Sequence, residues 1–196
     1  MPPRPRGLGP HLAGAAAARY GLRMAVRRRP IVGVMGSGTE PHEAAAAVLG
    51  RLLASRGVDL LTGGGRGVMA SVSRAFAETP GRTGLVIGIL PGDPEPPPGY
   101  PNLWVEIVIR THLPWSGDRG TDPRSRNHVN VLSSDAVIAL PGGAGTRSEL
   151  VLAGRYGRPA IAFGAAWHDA AGLPPGVRLA ACVDEVAAFL DAVLAT

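Results

Sequence analysis

"DAVIALPGGAGTRSEL", residues 135–150, decides the fold. The run "DAVIAL" has no polar residue after its first position, which predicts a short strand buried on both faces, as in a parallel sheet. "PGGAGT" interrupts it, and "GTRSELVLAGRYG" (145–157) reads as a helix. A strand that passes through a glycine loop straight into a helix leaves the free N–H groups of the first helical turn at the loop. Without Cβ atoms in the way an anion can approach them closely, and the helix dipole favours it. Gly142, Gly143, Gly145 and the Thr146 hydroxyl are therefore a candidate phosphate cradle. Glu149 follows one turn later and has two readings. It is either a favourable charge and capping-box partner three residues after Thr146, or a carboxylate placed to reach the ribose of a bound nucleotide. The residues alone leave both open.

The same alternation runs outward along the chain. Strands are predicted at 30–35, 58–64, 84–90, 103–109, 135–140 and 159–164, with a weaker one at "RLAACV". Helices are predicted at 40–57 (capped by Thr39, with Pro41 in its first turn), 67–79, 122–134, 145–157 and over "DEVAAFLDAVLA". Continuous apolar strands separated by helices predict an α/β, three-layer Rossmann-like domain with a mainly parallel sheet. Three predicted strand ends run into glycine: "GSGTE" (36–40), "GGGRGVM" (63–69) and "PGGAGT" (141–146). One such loop is an ordinary turn, but three at equivalent ends point to a ligand at the carboxyl edge of the sheet. A dinucleotide fingerprint is not present: the first turn lacks its third glycine, and Asp59 opens the second strand instead of ending it.

Composition limits the chemistry. All twenty basic residues are arginine, which rules out a Walker lysine and a pyridoxal phosphate Schiff base. Residues 1–29 hold seven arginines and no acid, whereas residues 30–196 hold thirteen against fifteen acids. The chain thus divides into a basic, flexible N-terminal tail (1–29) and a single nucleotide-binding domain (30–196). Translation from Met24 would shorten that tail, and an arm for nucleic acid rests on the tail alone. Cys182 is the lone cysteine and reads as a buried small hydrophobe, which fits a cytoplasmic protein. The five histidines are scattered without ligand spacing, so no metal site is expected, and no apolar run is long enough to span a membrane.

"GGGRGVMASVSRA" and "SRNHVNVLSSDAVIALPGGAGTRSEL" resemble the Lonely Guy (LOG) family, whose members carry G-G-G-x-x-G-x-M and P-G-G-x-G-T-x-x-E. Many members carry a "possible lysine decarboxylase" label, which the lysine-free composition makes untenable in a pyridoxal-dependent form. The resemblance spans roughly residues 30–164 and implies a cytokinin riboside 5′-monophosphate phosphoribohydrolase, cutting the N-glycosidic bond of a nucleoside monophosphate. By position, Glu149 matches the family's catalytic glutamate, and Gly142, Gly143, Gly145 and Thr146 its phosphate loop. Arg126 matches the arginine of an Arg-Lys pair whose lysine is Asn127 here. "IGILPGD" (87–93) followed by "SRN" is also similar to the branch containing the molybdenum cofactor carrier proteins.

Two functions follow as expectations: a hydrolase of nucleoside 5′-monophosphates, or a binding or carrier protein for another phosphorylated heterocycle. In the hydrolase, Glu149 would stabilise an oxocarbenium-like ribose and orient water, with Arg126 holding phosphate or polarising the departing base. Ser37, Gly38, Gly64, Gly65 and Met69 are candidate nucleotide contacts; His112, Trp115 and Arg119 lie on loops near the base, with Trp115 able to stack on it. His128 reads as solvent-exposed or locally bonded. No cofactor is required, and the resemblance implies a homodimer or larger homo-oligomer.

Overall fold

The computed structural model describes residues 28–92, 95–165, 167 and 172–195; the tail, with both readings attached to it, lies outside the described residues apart from Arg28 and Arg29. The elements are β1 (Ile31–Met35), α1 (Glu43–Ser55), β2 (Asp59–Thr62), α2 (Val68–Ala77), β3 (Val86–Leu90) and β4 (Ile107–Arg110), then a short 3-10 turn (Gly117–Arg119). After it come α3 (Asn127–Leu132), β5 (Ala136–Ala139), α4 (Ala144–Arg155), β6 (Ala160–Phe163), β7 (Arg178–Ala180) and α5 (Val183–Leu194). The seven strands form one sheet in the order β4-β3-β2-β1-β5-β6-β7, and every pairing is parallel.

Alternation along each strand separates two cores. Val32 and Val34 of β1, Leu60 of β2 and Ile138 of β5 face a layer that includes Leu49 and Leu53 of α1, Val72 and Phe76 of α2, and Leu190 of α5. Met35, Leu61, Ile89, Val137 and Ala139 face the other way, toward Val131 of α3 and Leu150 and Leu152 of α4. Helices thus cover both faces of the central strands, which is why β1, β3 and β5 are apolar throughout. The result is the three-layer α/β architecture that the sequence predicts.

The order of the strands fixes where a ligand can sit. From β1 the chain winds outward through β2, β3 and β4 on one side, and β5, β6 and β7 fill the other. Beyond the carboxyl ends of β1 and β5 the connections diverge and leave a crevice, the topological switch point of an open α/β sheet. The backbone bond from Ser37 N–H to Pro141 O, 3.0 Å, ties the two loops bounding it.

Three predicted elements differ. Helix α1 starts at Glu43 and not at residue 40: Ser37 Oγ accepts the N–H groups of Thr39 and Glu40, making a turn there, and His42 is left-handed at φ 43°. Thr39 is accordingly not its cap, and Pro41 precedes the helix. The strand predicted at 103–109 is confined to Ile107–Arg110 because the chain before it serves the β2 loop: Asn102 donates from its backbone to Gly64 O and from its amide to Gly65 O. The helix predicted from residue 122 starts at Asn127, since Asp122 Oδ1 accepts the Arg124 N–H and Arg126 N–H bonds Trp115 O.

Candidate active site

A cleft of about 350 Å³ opens at the switch point. Its walls are the loop after β1 (Gly36–Thr39), the start of α4 (Gly143–Thr146, with Glu149), and the 116–118 segment; Gly63, Met69, Tyr100, Arg126 and Asn127 complete them. Three pieces of chain distant in sequence therefore meet around one space.

The loop between β5 and α4 ends in a helix N-terminus that no side chain caps. Helix α4 begins at Ala144 with extended Gly143 as its N-cap and no side chain capping it, so its first N–H groups face the cleft without a side-chain partner. A Cβ on Gly143 would meet nothing within 4 Å, whereas one on Gly142 would lie 2.1 Å from Thr146 Oγ1 and 2.8 Å from Ser37 N. Gly142 is thus a packing glycine beneath the loop, and Gly143 opens onto the ligand space. Gly145 lines the cleft beside Gly117, and buried Thr146 contributes to its wall.

Glu149 lies one turn further along α4, 7% exposed. Its Oε1 accepts a 2.8 Å hydrogen bond from Asn130 Nδ2 on α3. Burial pushes its carboxyl up to about 7, against the opposing pull of the Arg126 charge and the Asn130 bond. Arg126 is equally enclosed. Its Nη1 donates to Gly63 O at 2.6 Å and to Ile89 O, while Nε has no partner. Burial lowers its pKa, and the nearby Glu149 and Tyr100 act to raise it. The guanidinium fills the place where a Cβ on Gly63 would project, 2.5 Å from Nη1, so the first glycine of "GGGRGVM" is there to admit it.

Of the sequence candidates, Ser37, Gly38, Met69, Arg126, Gly143, Gly145, Thr146 and Glu149 line the cleft. Gly64, Gly65 and Gly142 do not. Gly64 packs on Leu90 and Gly88 with φ +75°, and Gly65 lies against the Tyr100 ring and donates to Met69 Sδ. Trp115, expected near the base, is also outside: it carries the Arg119 guanidinium 3.8 Å from its ring centroid and braces the segment leading to α3. His112 is exposed outside the lining, and His128 bonds Tyr156 Oη and Asp122 O, the local role expected of it. Asn127 replaces the family's lysine with an amide that donates to Ser148 Oγ at 2.9 Å, joining α3 to α4.

The sequence reading passed over Asn130, Tyr100 and Asp118. Asn130 had a signal, for it stands four residues after Arg126 and so on the same side of α3. Tyr100 comes from the proline-rich loop, where no periodicity exists to read.

Known proteins are similar to this chain in sequence and fold. A model of the SLOG cluster4 family matches residues 29–180. The molybdenum cofactor binding protein of Rippkaea orientalis is similar at TM-score 0.68 and 32% identity, over 86% of this chain and 99% of its own. The molybdenum cofactor carrier protein of Chlamydomonas reinhardtii is similar at TM-score 0.64 and 31% identity, over 86% of this chain and all of its own. The probable cytokinin riboside 5′-monophosphate phosphoribohydrolase LOGL5 of Oryza sativa subsp. japonica is 37% identical over 113 residues, which is 56% of this chain and 40% of the rice protein. This chain therefore matches well under half of that rice protein's length. With the glycine loops, the switch-point cleft and the family match over residues 29–180 in agreement, the chain belongs to the SLOG cluster4 family, within the LOG-like Rossmann superfamily.

Proposed function

We propose that the cleft binds a nucleoside 5′-monophosphate and hydrolyses its N-glycosidic bond, releasing free base and ribose 5-phosphate. The observation that carries this reading is a buried carboxylate, Glu149, on the wall of the same cleft as the open N-terminus of α4, one turn along that helix. Phosphate on the N–H groups of Gly143 to Thr146 would hold the ribose next to the carboxylate. As the C1′–N bond breaks, its electron pair leaves with the base, which takes a proton from solvent to balance the one that Glu149 later releases, and positive charge builds on the ribose. Glu149 in its charged form opposes that charge and takes a proton from the water that attacks C1′. Arg126, with Nη1 committed to two backbone carbonyls, acts as a fixed counter-charge that favours ionised Glu149, leaving the phosphate to the helix terminus. The chemistry requires no cofactor or metal, and a cytoplasmic site of action is part of the proposal.

A carrier of a phosphorylated heterocycle is the second reading. What favours it is that two solved structures similar over 86% of the chain are of a molybdenum cofactor binding protein and a molybdenum cofactor carrier protein. One experiment separates the two. The purified protein is incubated with AMP, GMP, CMP, UMP and N6-isopentenyl AMP, and base and ribose 5-phosphate are measured together. The hydrolase reading expects both products in equal amounts from at least one monophosphate, and far slower cleavage of the matching nucleoside. Tight binding of one phosphorylated heterocycle with no cleavage of any would establish the carrier instead.

A further inference from the structure

Asn130 is fully buried on α3, and its side chain makes one hydrogen bond, the 2.8 Å donation to Glu149 Oε1. Its Oδ1 is buried without a partner. A buried acceptor left unpaired costs about 1–3 kcal/mol, which an apolar residue at this position would avoid. Nothing in the packing calls for an amide here. The amide is also not part of the cleft lining, so it acts on a ligand only through Glu149.

We propose that Asn130 is the positioning residue of Glu149: its N–H donor fixes the carboxylate on the cleft wall and favours the ionised form needed to accept a proton. The inference rests on the reading of Glu149 as the reacting carboxylate. The other charged or titratable groups around the cleft are Arg126 from the N-cap of α3, Tyr100 from the loop before β4, and Asp118 from the 3-10 turn. Of these, Arg126 also favours the ionised form, so Asn130 shares that task with one buried cation.

The test is direct titration of the Glu149 carboxyl by carbon NMR in the full chain without ligand, the resonance assigned by its loss in Glu149→Gln. Asn130→Leu, which removes the donor while keeping the volume, should move the midpoint upward by about one pH unit or more. Asn130→Asp, which sets a second carboxylate against the first, should move it upward as well. If either folded variant titrates with the wild-type midpoint, the proposal is wrong. Because no substrate is present, the result stands apart from the hydrolase reading, whose failure would show as uncleaved monophosphates beside a shifted midpoint. Where a monophosphate is cleaved, the alkaline-rising limb of kcat/KM should shift with the midpoint and kcat should fall more than KM rises. A purely structural asparagine would leave that limb in place.

Discussion

At the scale of single residues, the cleft concentrates its cost in Glu149. Its carboxyl titrates near 7 in the folded protein against an ordinary 4.5, because burial disfavours the charge more than Arg126 and Asn130 restore it. The folded state therefore holds its proton more tightly than the unfolded chain. Stability from this group is fully present below pH 4.5, declines as pH rises to about 7, and is constant above, a difference of about 3 kcal/mol. Glu149→Gln abolishes that dependence. Denaturant unfolding of both proteins from pH 4 to pH 8 should show the variant's advantage growing by about that amount, and an advantage that stays constant with pH would show that Glu149 is not so shifted. The same titration predicts that kcat/KM for a cleaved monophosphate rises through a limb near pH 7, since the free protein must be ionised to act. Glu149 and Arg126 were legible in the sequence because their spacing from the glycine loop and from Asp135 follows a family pattern. What Arg126 does was not legible, since its partners, Gly63 O and Ile89 O, are 63 and 37 residues away.

The elements divide into those fixed by local pattern and those decided by tertiary demands. Strands β1, β2, β3, β5 and β6 fell within their predicted runs because their residues are buried on both faces. Edge strand β4 was misplaced by several residues: the apolar run there outlasts the pairing, and Leu103 is left 96% exposed while Asn102 is drawn to the β2 loop. Within the cradle, two adjacent glycines should respond oppositely. Gly143→Val adds its side chain to open ligand space, so the protein should melt as wild type and lose nearly all affinity for a nucleoside monophosphate by calorimetry. Gly142→Ala drives a Cβ into Thr146 and the Ser37 backbone, and overpacking of that kind costs about 1–3 kcal/mol. A folded Gly143→Val with unchanged monophosphate affinity would remove the cradle from the account.

For the whole molecule, the domain is tied off at its amino end by Arg28, whose guanidinium meets both oxygens of Asp135 at 2.7 and 2.6 Å, while Ile31 N–H bonds Asp135 Oδ2 at 2.8 Å. We propose a tail of residues 1–29 whose Arg28 pairs with the domain at Asp135. A chain beginning at Met24 keeps this pair and should retain its melting temperature and its affinity for monophosphates, and a large loss of either would make the first 23 residues part of the domain. A homodimer also belongs to the proposal; Leu132 of α3 and Val151 of α4 are exposed on the helices that build the cleft. Sedimentation equilibrium should then give twice the 20.1 kDa of one chain, and a single-chain mass at working concentrations would exclude it.

The central claim, that Glu149 turns a phosphate-binding cleft into an N-glycosidase, is tested most directly by comparing the wild type with Glu149→Gln on the best-cleaved monophosphate. Ribose 5-phosphate release and binding affinity are measured on the same samples. The substitution keeps shape and hydrogen bonding and removes the charge that opposes the oxocarbenium ion. The account predicts a rate lower by about 100-fold or more with affinity largely retained. Undiminished cleavage by a folded Glu149→Gln would contradict it.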